Sequence, residues 1–527
     1  MLSLAGAGKA HVCVRLDTSS SSAPSPSCTS IKASDVPYSL LRLMSHAILR
    51  IRVVPSSTSP SASAGPNAST HAVTRSDTNE HIALTSDAWS RLSALVWAPE
   101  VPDMVVQNRM ADDAVASAAH AKHLAKYLPR GVVAHARVVD VPWQVVERVC
   151  ELAGKTMKQD GREFVKALLL PDYANPPPTP SLMPRQGVDT WPAVVTVEIK
   201  PKRGQWPRPF PQAPVVERAF LATHRQPSTR HHRRLGTPLY FMRECTLAQR
   251  AGNHTGADAH ADVTWYDPRD FFHGTREDVA HAVERLLSAH ESHAGGDAGA
   301  GRHARIHVRG AGMHAKLMRV QSAEDAVRAL VPGSSGKDGF VGASAAAAAA
   351  AAALADPVSH AIHTSGVARG LLHAQRLDAL GSHAAATALE SLIESTAAAS
   401  TSTSPARLVA SIRKYLVAAC ASDVSILVAL RVVRKCKGST VDGYGDDDGD
   451  SNSDPSHFEA WRDAADWMAL PPGALASIGG DPTEFELHAR VSVIDCDHKP
   501  LRKIFEHRKR DAEGARAWLR HVGLPEE

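Results

Sequence analysis

The chain has 527 residues, which allows two to four domain-sized units at about 100–200 residues each. Its 59 Lys and Arg residues nearly balance its 55 Asp and Glu residues, and 43% of its residues are hydrophobic. This composition excludes a histone-like coat for nucleic acid and a wholly disordered chain.

Cysteine usage and the lack of targeting patterns indicate the cellular environment. The seven cysteines are scattered, and none belongs to a C-x-x-C pair. This spacing favours reduced thiols over a disulfide framework or a Cys-based zinc site. The sequence has no apolar run of about 18 residues and no N-terminal signal-peptide core. We therefore expect a soluble intracellular protein with no membrane partner.

The chain begins with a glycine turn that runs into an alternating strand over residues 4–16. Gly6 and Gly8 in this turn would let backbone N–H groups approach a nucleotide phosphate. The spacing is neither G-x-x-x-x-G-K-[ST] nor G-x-G-x-x-G, so the turn alone does not identify a nucleotide site.

Alternating and helical patterns follow in the first 170 residues. A strand is predicted over 47–54, with Arg50 on the face opposite the apolar side chains. The pattern over 114–155 is mostly helical, and the apolar run 167–170 predicts a buried strand that ends at a proline. Residues 1–170 are therefore predicted to form an N-terminal unit.

The strand predicted over 193–200 ends in the most informative segment of the chain. Its β-branched residues alternate, which puts Glu198 and Lys200 on the same side. Lys202 follows after Pro201, and two lysines held stiffly in this way suit a multiply charged anion such as phosphate. An ordinary solvated strand end has the same pattern, so both interpretations stay open at this point.

The C-terminal part alternates ordered elements with low-complexity stretches. Residues 275–288 predict a helix capped by Thr275, with an acidic residue three positions on. Poly-alanine at 345–353 and a Ser/Thr-rich tail mark 333–405 as a variable insertion, with room for one or two helices and otherwise disordered. The acidic stretch within 437–457 predicts a second disordered insertion.

Two aspartates lie at strand boundaries in the C-terminal part. Asp423 stands between a helix predicted over 405–420 and a strand over 424–433, and Asp495 ends a strand over 489–495. Carboxylates at such positions can hold Mg²⁺ or accept a hydroxyl proton, as phosphoryl transfer requires. For a single residue, a turn-forming or helix-capping aspartate is the commoner explanation.

A basic run, TRHHRR, occupies residues 229–234. It lacks interleaved aromatic residues and belongs to no recognisable nucleic-acid module. We interpret it as a solvated loop or a small-anion site, and no nucleic-acid partner is expected.

Four segments, in order along the chain, resemble motifs of the inositol-pentakisphosphate 2-kinases. VEIKPKRG at 197–204 resembles the E-I-K-P-K motif, and YDPRDFFHG at 266–274 resembles Y-x-P-L-D-L-[FY]-S-G. YLVAACASDVSILV at 415–428 and VIDCDHKPL at 493–501 resemble the two aspartate-bearing motifs. The strand around Arg50 is similar to the family's N-lobe strand, and 167–173 falls where the family has its hinge.

The resemblance implies an α+β, two-lobed inositol-polyphosphate kinase-like fold with low-complexity insertions. The lobes would be 1–170, with the glycine loop, and 171–527, with the catalytic motifs. The implied reaction transfers the ATP γ-phosphate to the 2-hydroxyl of inositol 1,3,4,5,6-pentakisphosphate and gives inositol hexakisphosphate, phytic acid. ATP and Mg²⁺ would be the cofactors of a monomer in the nucleus, the cytoplasm or both.

Individual roles follow from the same resemblance. ATP would be bound by two glycines, an arginine and two carboxylates: Gly6, Gly8, Arg50, Asp172 and Glu198. The substrate phosphates would be bound by four lysines: Lys200, Lys202, Lys499 and Lys503. Asp423 would be the general base or orient the hydroxyl, Lys200 would bridge the transferred phosphate, and Asp495 would hold Mg²⁺.

The chain also departs from the family pattern. Leu239 stands where an arginine is expected, and residues 302–303 replace an asparagine pair. Such changes keep two alternatives open: a kinase of another inositol phosphate, and a non-catalytic protein that binds inositol phosphate or RNA. Retention of Asp423 and Asp495 argues against the second, since a pure anion site has no use for carboxylates.

Overall fold

A computed structural model describes most elements predicted above. The described residues are 2–7, 11–16, 47–52, 71–74, 81–84, 86–97, 113–133, 137–153, 163–173, 193–204, 215–219, 268–292, 304–310, 317–320, 322–331, 343–379, 381–397, 405–435, 466–496, 499–521 and 523–525. The insertion predicted over 437–457, the basic run 229–234, Gly8, Leu239 and residues 302–303 lie outside them.

The described strands are β1 (Leu2–Ala7), β2 (His11–Leu16), β3 (Ala47–Arg52), β4 (His71–Thr74), β5 (His81–Leu84), β6 (Arg137–Pro142), β7 (Phe164–Pro171), β8 (Val194–Ile199), β9 (Ala304–Arg309), β10 (Leu317–Val320), β11 (Ser425–Arg434), β12 (Met468–Ala469) and β13 (Phe485–Ile494). The described helices are α1 (Ser86–Trp97), α2 (Asp113–Ala125), α3 (Trp143–Leu152), α4 (Pro268–His273), α5 (Arg276–Ser292), α6 (Ala323–Leu330), α7 (Ala343–Ser365), α8 (Val367–Gln375), α9 (Gly381–Ala397), α10 (Pro405–Ala421), α11 (Pro472–Ser477) and α12 (Lys503–His521).

A five-stranded antiparallel sheet is built from the N-terminal part, in the order β1-β2-β3-β7-β6. Its core joins strand residues such as Leu49 and Ile51 to Trp143, Val146 and Val149 of α3. Burying these aliphatic side chains between one helix and one sheet face is the main stabilisation of this unit. Strands β4 and β5 form a separate two-stranded sheet.

The larger sheet has six antiparallel strands, in the order β10-β9-β8-β11-β13-β12. Val195, Val197 and Ile199 face the main hydrophobic core, as their alternation predicts. The opposite face carries polar side chains in register on neighbouring strands, with Glu198 of β8 paired to Arg305 of β9. The sheet therefore has one apolar face and one polar face.

Helices α1 and α2 precede residue 170 but contribute side chains to the core of the larger sheet, including Leu92 and Leu124. Arg413 of α10 fixes the end of α1, since its Nε and Nη2 atoms donate to Val96 O at 2.9 and 2.7 Å. These bonds satisfy a carbonyl at the C-terminal end of α1, which has no partner within the helix. The division of the chain at residue 170 stays a prediction.

The disorder predicted over 333–405 is wrong for residues 343–397, which form α7, α8 and α9. Alanine has the highest helix propensity, and the poly-alanine run forms the first half of α7. Ala351, Leu354 and Val358 lie on one stripe of this helix and are fully buried. The low-complexity composition therefore conceals a helix whose buried stripe belongs to the core.

The helix predicted over 275–288 is confirmed as α5, together with its cap. Asp278 accepts hydrogen bonds from the backbone N–H and hydroxyl of Thr275, and Asp278 N donates to Thr275 Oγ1 at 3.3 Å. This reciprocal arrangement satisfies donors that the first turn leaves without partners. The region predicted as mostly helical over 114–155 differs, because it contains β6, whose valines favour a strand.

Helices combined with antiparallel sheets confirm the α+β class. None of the described helices combines the length and the apolar character needed to cross a lipid bilayer.

Candidate active site

Three neighbouring strands in the middle of the larger sheet bring their termini together: β8 and β13 end where β11 begins. Strand β11 lies between β8 and β13 and is antiparallel to both, so its beginning is next to their ends. Lys200 follows β8, Ser425 begins β11, and Asp495 follows β13. The topology thus brings together residues that are up to 295 positions apart in sequence.

Asp495 is the centre of this cluster. Its Oδ2 atom accepts from Lys200 Nζ at 3.1 Å and lies 3.0 Å from Ser425 Oγ. Its backbone adopts a left-handed conformation with φ of 62°, which aspartate tolerates better than most residues. This sharp turn directly after β13 directs the carboxylate towards the neighbouring strands.

Glu198 lies beside Asp495 on the polar face and is buried. Ser425 Oγ is 3.0 Å from Glu198 Oε1, so the hydroxyl can donate to one or the other carboxylate. Burial raises the pKa of Glu198, but nearby His307, Arg305 and Lys200 outweigh it and lower that pKa to about 2. Glu198 therefore stays ionised at neutral pH and adds a second negative charge next to Lys200.

The smaller sheet contributes Arg50 to the same cluster. Arg50 Nη1 lies 3.9 Å from Asp495 Oδ1, and its side chain is mostly buried. The guanidinium of β3 thus faces the carboxylate at the end of β13. The cluster is formed where the two sheets meet and brings together Arg50, Lys200, Glu198 and Asp495.

A second ion pair joins Asp423 to Lys499. Lys499 Nζ donates to Asp423 Oδ2 at 2.9 Å, and both side chains are partly exposed. Asp423 lies two residues before Ser425, so this pair flanks the Asp495 cluster. The site therefore presents partly exposed lysines and carboxylates side by side, where β8 and β13 end and β11 begins.

His507 of α12 lies behind the Asp423–Lys499 pair. Its Nδ1 atom is 2.9 Å from the hydroxyl of Tyr415 in α10. Burial, together with the positive charges of Arg510 and Lys499, lowers the pKa of His507 to about 3. The imidazole is therefore neutral at physiological pH.

Three other predicted residues lie at other points of the described structure. Asp172 is buried beside Arg309. Burial lowers the pKa of Arg309, and the negative charge of Asp172 partly offsets this lowering. Lys503 is partly exposed at the start of α12 and pairs with Glu506 in the same helix. Gly6 lies in β1 at a shift in register against β2. Their predicted roles in binding ATP and substrate stay predictions.

Comparison with known families shows what kind of protein this is. The model of a family described as inositol-pentakisphosphate 2-kinase matches residues 5–513. The chain belongs to the inositol-pentakisphosphate 2-kinase family. The match confirms the predicted resemblance and identifies the protein as an enzyme that transfers phosphate in inositol phosphate metabolism. A search among curated proteins gave no match.

Some residues of this kinase's site were not predicted from sequence. Ser425 bridges Glu198 and Asp495, and the signal for it is a serine directly before an apolar stretch, ILVAL at 426–430. Arg305 Nη1 lies 3.5 Å from Glu198 Oε2, and His307 Nε2 lies 3.8 Å from the same atom. The alternation R-I-H-V-R in β9 indicates a polar face. Only the order of the strands in the sheet places that face next to Glu198 of β8.

The carboxylates of the kinase suit a magnesium ion that also binds phosphate. Mg²⁺ is usually held by one or two carboxylates together with substrate phosphates, rather than by a cage of protein ligands. Within the described ranges, no three His, Cys, Asp or Glu side chains are grouped to hold a metal by themselves. Asp495, with Glu198 beside it, supplies the number of carboxylates that such a shared site needs.

Proposed function

We propose that this kinase transfers the γ-phosphate of ATP to the 2-hydroxyl of inositol 1,3,4,5,6-pentakisphosphate and produces inositol hexakisphosphate. The observation that carries the proposal is the convergence of Lys200, Asp495 and Arg50 beside the Asp423–Lys499 pair. Phosphoryl transfer is catalysed mainly by positioning and by charge stabilisation, and these residue types provide both.

The lysines would bind phosphates. Lys200 and Lys499 each hold a carboxylate in the present structure, at 3.1 and 2.9 Å. An ammonium group has three donor hydrogens, so each lysine can keep this contact and also donate to a phosphate oxygen. Lys202, two residues beyond Lys200, would extend the cationic surface along the substrate.

Asp423 would accept the proton of the attacking hydroxyl or orient that hydroxyl. Its Oδ2 atom accepts from Lys499 Nζ at 2.9 Å, a contact that orients the carboxylate. Asp495, with Glu198 beside it, would hold magnesium, which neutralises charge on the phosphates of ATP when it is bound.

Arg50 supports a location for ATP between the two sheets. Its guanidinium lies on β3 of the smaller sheet yet reaches Asp495 of the larger one. We propose that the two sheets are the centres of the two kinase lobes and that the ATP phosphates lie in the cleft beside Arg50.

The proposal is tested by comparing wild-type protein with Asp423→Asn in Mg·ATP and pentakisphosphate, with products separated by anion exchange. We expect the variant to lose hexakisphosphate formation by at least about a hundredfold while it still binds pentakisphosphate in calorimetry. Asp481→Asn, in a solvent-exposed turn before β13, is the matched control and should behave as wild type. Product formation by Asp423→Asn at the wild-type rate would refute the assigned role.

A further inference from the structure

The loop that carries Lys200 and Lys202 is held by the C-terminal end of α8. Gln375, the last residue of that helix, is 1% exposed. Its Oε1 atom accepts from Gly204 N at 2.8 Å, and its Nε2 atom donates to Lys202 O at 3.1 Å. One buried amide therefore bonds the backbone of the loop on both sides of Arg203.

The same amide also reaches the second half of the site. Gln375 Nε2 donates to Ala421 O at 3.2 Å, at the end of α10 and two residues before Asp423. A primary amide has two N–H donors, so both bonds to carbonyl oxygens form at once. Gln375 thus connects the lysine loop to the turn that presents Asp423.

Asp378 holds the loop at a third point. Arg203 Nη2 donates to Asp378 Oδ2 at 2.5 Å, and Gly381 N donates to Asp378 Oδ1 at 2.7 Å. Burial would lower the pKa of Arg203, but the Asp378 carboxylate outweighs it and raises that pKa. The guanidinium therefore stays charged and paired inside the protein.

The backbone of the loop needs this support. Lys202 adopts φ of 63°, in the left-handed region that a residue with a long side chain rarely occupies. Such a conformation persists only where the surroundings impose it. Gln375 bonds the carbonyl of Lys202 itself and the N–H of Gly204, and both bonds oppose relaxation of this backbone.

We propose that Gln375, assisted by Asp378, is a positioning residue for substrate binding: it holds the Lys200–Lys202 loop in the conformation that presents Lys202 to an inositol phosphate. This inference rests on the proposed function, since it assigns Lys202 to the substrate side of the site. It also gives a role to α8, in a region whose composition predicts a variable insertion.

The test is a double-mutant cycle with Gln375→Met and Lys202→Ala. Methionine keeps the length of glutamine and removes its hydrogen bonds. We expect Gln375→Met to raise the KM and the calorimetric Kd for inositol 1,3,4,5,6-pentakisphosphate about tenfold, with the KM for ATP within about twofold of wild type. In the Lys202→Ala background, the same change should alter the pentakisphosphate Kd by less than about twofold.

Arg413→Met is the matched control, because it also removes side-chain bonds to a backbone carbonyl, in its case Val96 O. It should lower the Tm and leave both KM values unchanged. The inference is overturned if Gln375→Met changes the pentakisphosphate Kd by the same factor in the wild-type and Lys202→Ala backgrounds. It is also overturned if Gln375→Met alone lowers the Tm and leaves the pentakisphosphate Kd unchanged.

Asp378→Asn keeps the inference testable if Gln375→Met does not fold. It removes the charge that pairs with Arg203 and should weaken pentakisphosphate binding in the same direction, again only when Lys202 is present. An unchanged Kd in this variant would overturn the inference. Wild-type protein that binds no pentakisphosphate contradicts the proposed function instead, so the two failures are distinguishable.

Discussion

At the residue scale, the described site depends on Asp495, which accepts from Lys200 and lies close to Ser425 and Arg50. Asp495→Asn should lower kcat by at least about a hundredfold, because a neutral amide neither holds magnesium well nor balances these cations. Asparagine also tolerates the left-handed backbone, so the fold should be kept. Steady-state kinetics and calorimetry measure the two effects.

Binding of pentakisphosphate by Asp495→Asn should be unchanged or tighter, because a negative charge next to the phosphates has been removed. Binding weaker than wild type by more than about tenfold would contradict the assignment of Asp495 to the metal rather than to the substrate.

His507 gives a pH-dependent prediction at the same scale. Its folded-state pKa of about 3 lies below the ordinary value of 6.5, so the unfolded chain binds a proton that the folded protein does not. Its contribution should therefore lower the free energy of unfolding as pH falls below 6.5, by up to about 1.4 kcal/mol per pH unit.

Chemical denaturation between pH 7 and about 5.5 checks this expectation, since Glu198, with an ordinary pKa of 4.5, begins to contribute only below that window. His507→Gln should have a smaller dependence on pH than wild type over the same range. Identical slopes for the two proteins would mean that His507 is not kept neutral by the fold.

At the element scale, the close approach of α4 to the lysine loop requires glycine at position 204. A Cβ atom there would lie 2.1 Å from Cδ2 of Phe272, a side chain that is itself buried. Gly204→Ala should therefore lower the free energy of unfolding by about 1–3 kcal/mol, as overpacking of a core does. Thermal denaturation measures the loss.

Two comparisons make this prediction specific. Gly473→Ala is the control, because a Cβ atom at position 473 in α11 would meet nothing within 4 Å. It should be neutral or stabilising, since alanine favours a helix more than glycine does. Gly204→Ala combined with Phe272→Leu should recover part of the lost stability, and no recovery would mean that the clash with Phe272 is not the cause.

Elements with a strong local pattern were predictable from sequence. The alternation over 193–200 and the capping box at Thr275 correspond to β8 and α5, since each depends on neighbouring residues alone. The position of α7 in the core was not predicted, because a poly-alanine run has no polar side chains against which a buried stripe can be recognised. Strand β6 was missed inside a longer helical pattern.

The contacts of the site were less predictable than its residues. Motifs indicated Lys200 and Asp495, but the bridging role of Ser425 depends on strand register, which a single sequence does not specify. The same holds for Gln375, whose partners are between 46 and 173 residues away.

At the scale of the whole molecule, the site joins two sheets with separate hydrophobic cores. Arg50 comes from the smaller sheet, whereas Lys200, Asp423 and Asp495 belong to the larger one. The charged side chains of the site therefore come together only when both units are folded and in contact. This arrangement is what a reaction between two highly charged phosphate compounds requires.

The most direct test is to incubate purified wild-type protein with Mg·ATP and inositol 1,3,4,5,6-pentakisphosphate and to quantify hexakisphosphate and ADP. The 2-hydroxyl is the free hydroxyl of this substrate, so hexakisphosphate also identifies the position phosphorylated. We predict one hexakisphosphate for each ADP. Absence of hexakisphosphate, with pentakisphosphate binding intact, would contradict the account and indicate a binding protein or a kinase of another inositol phosphate.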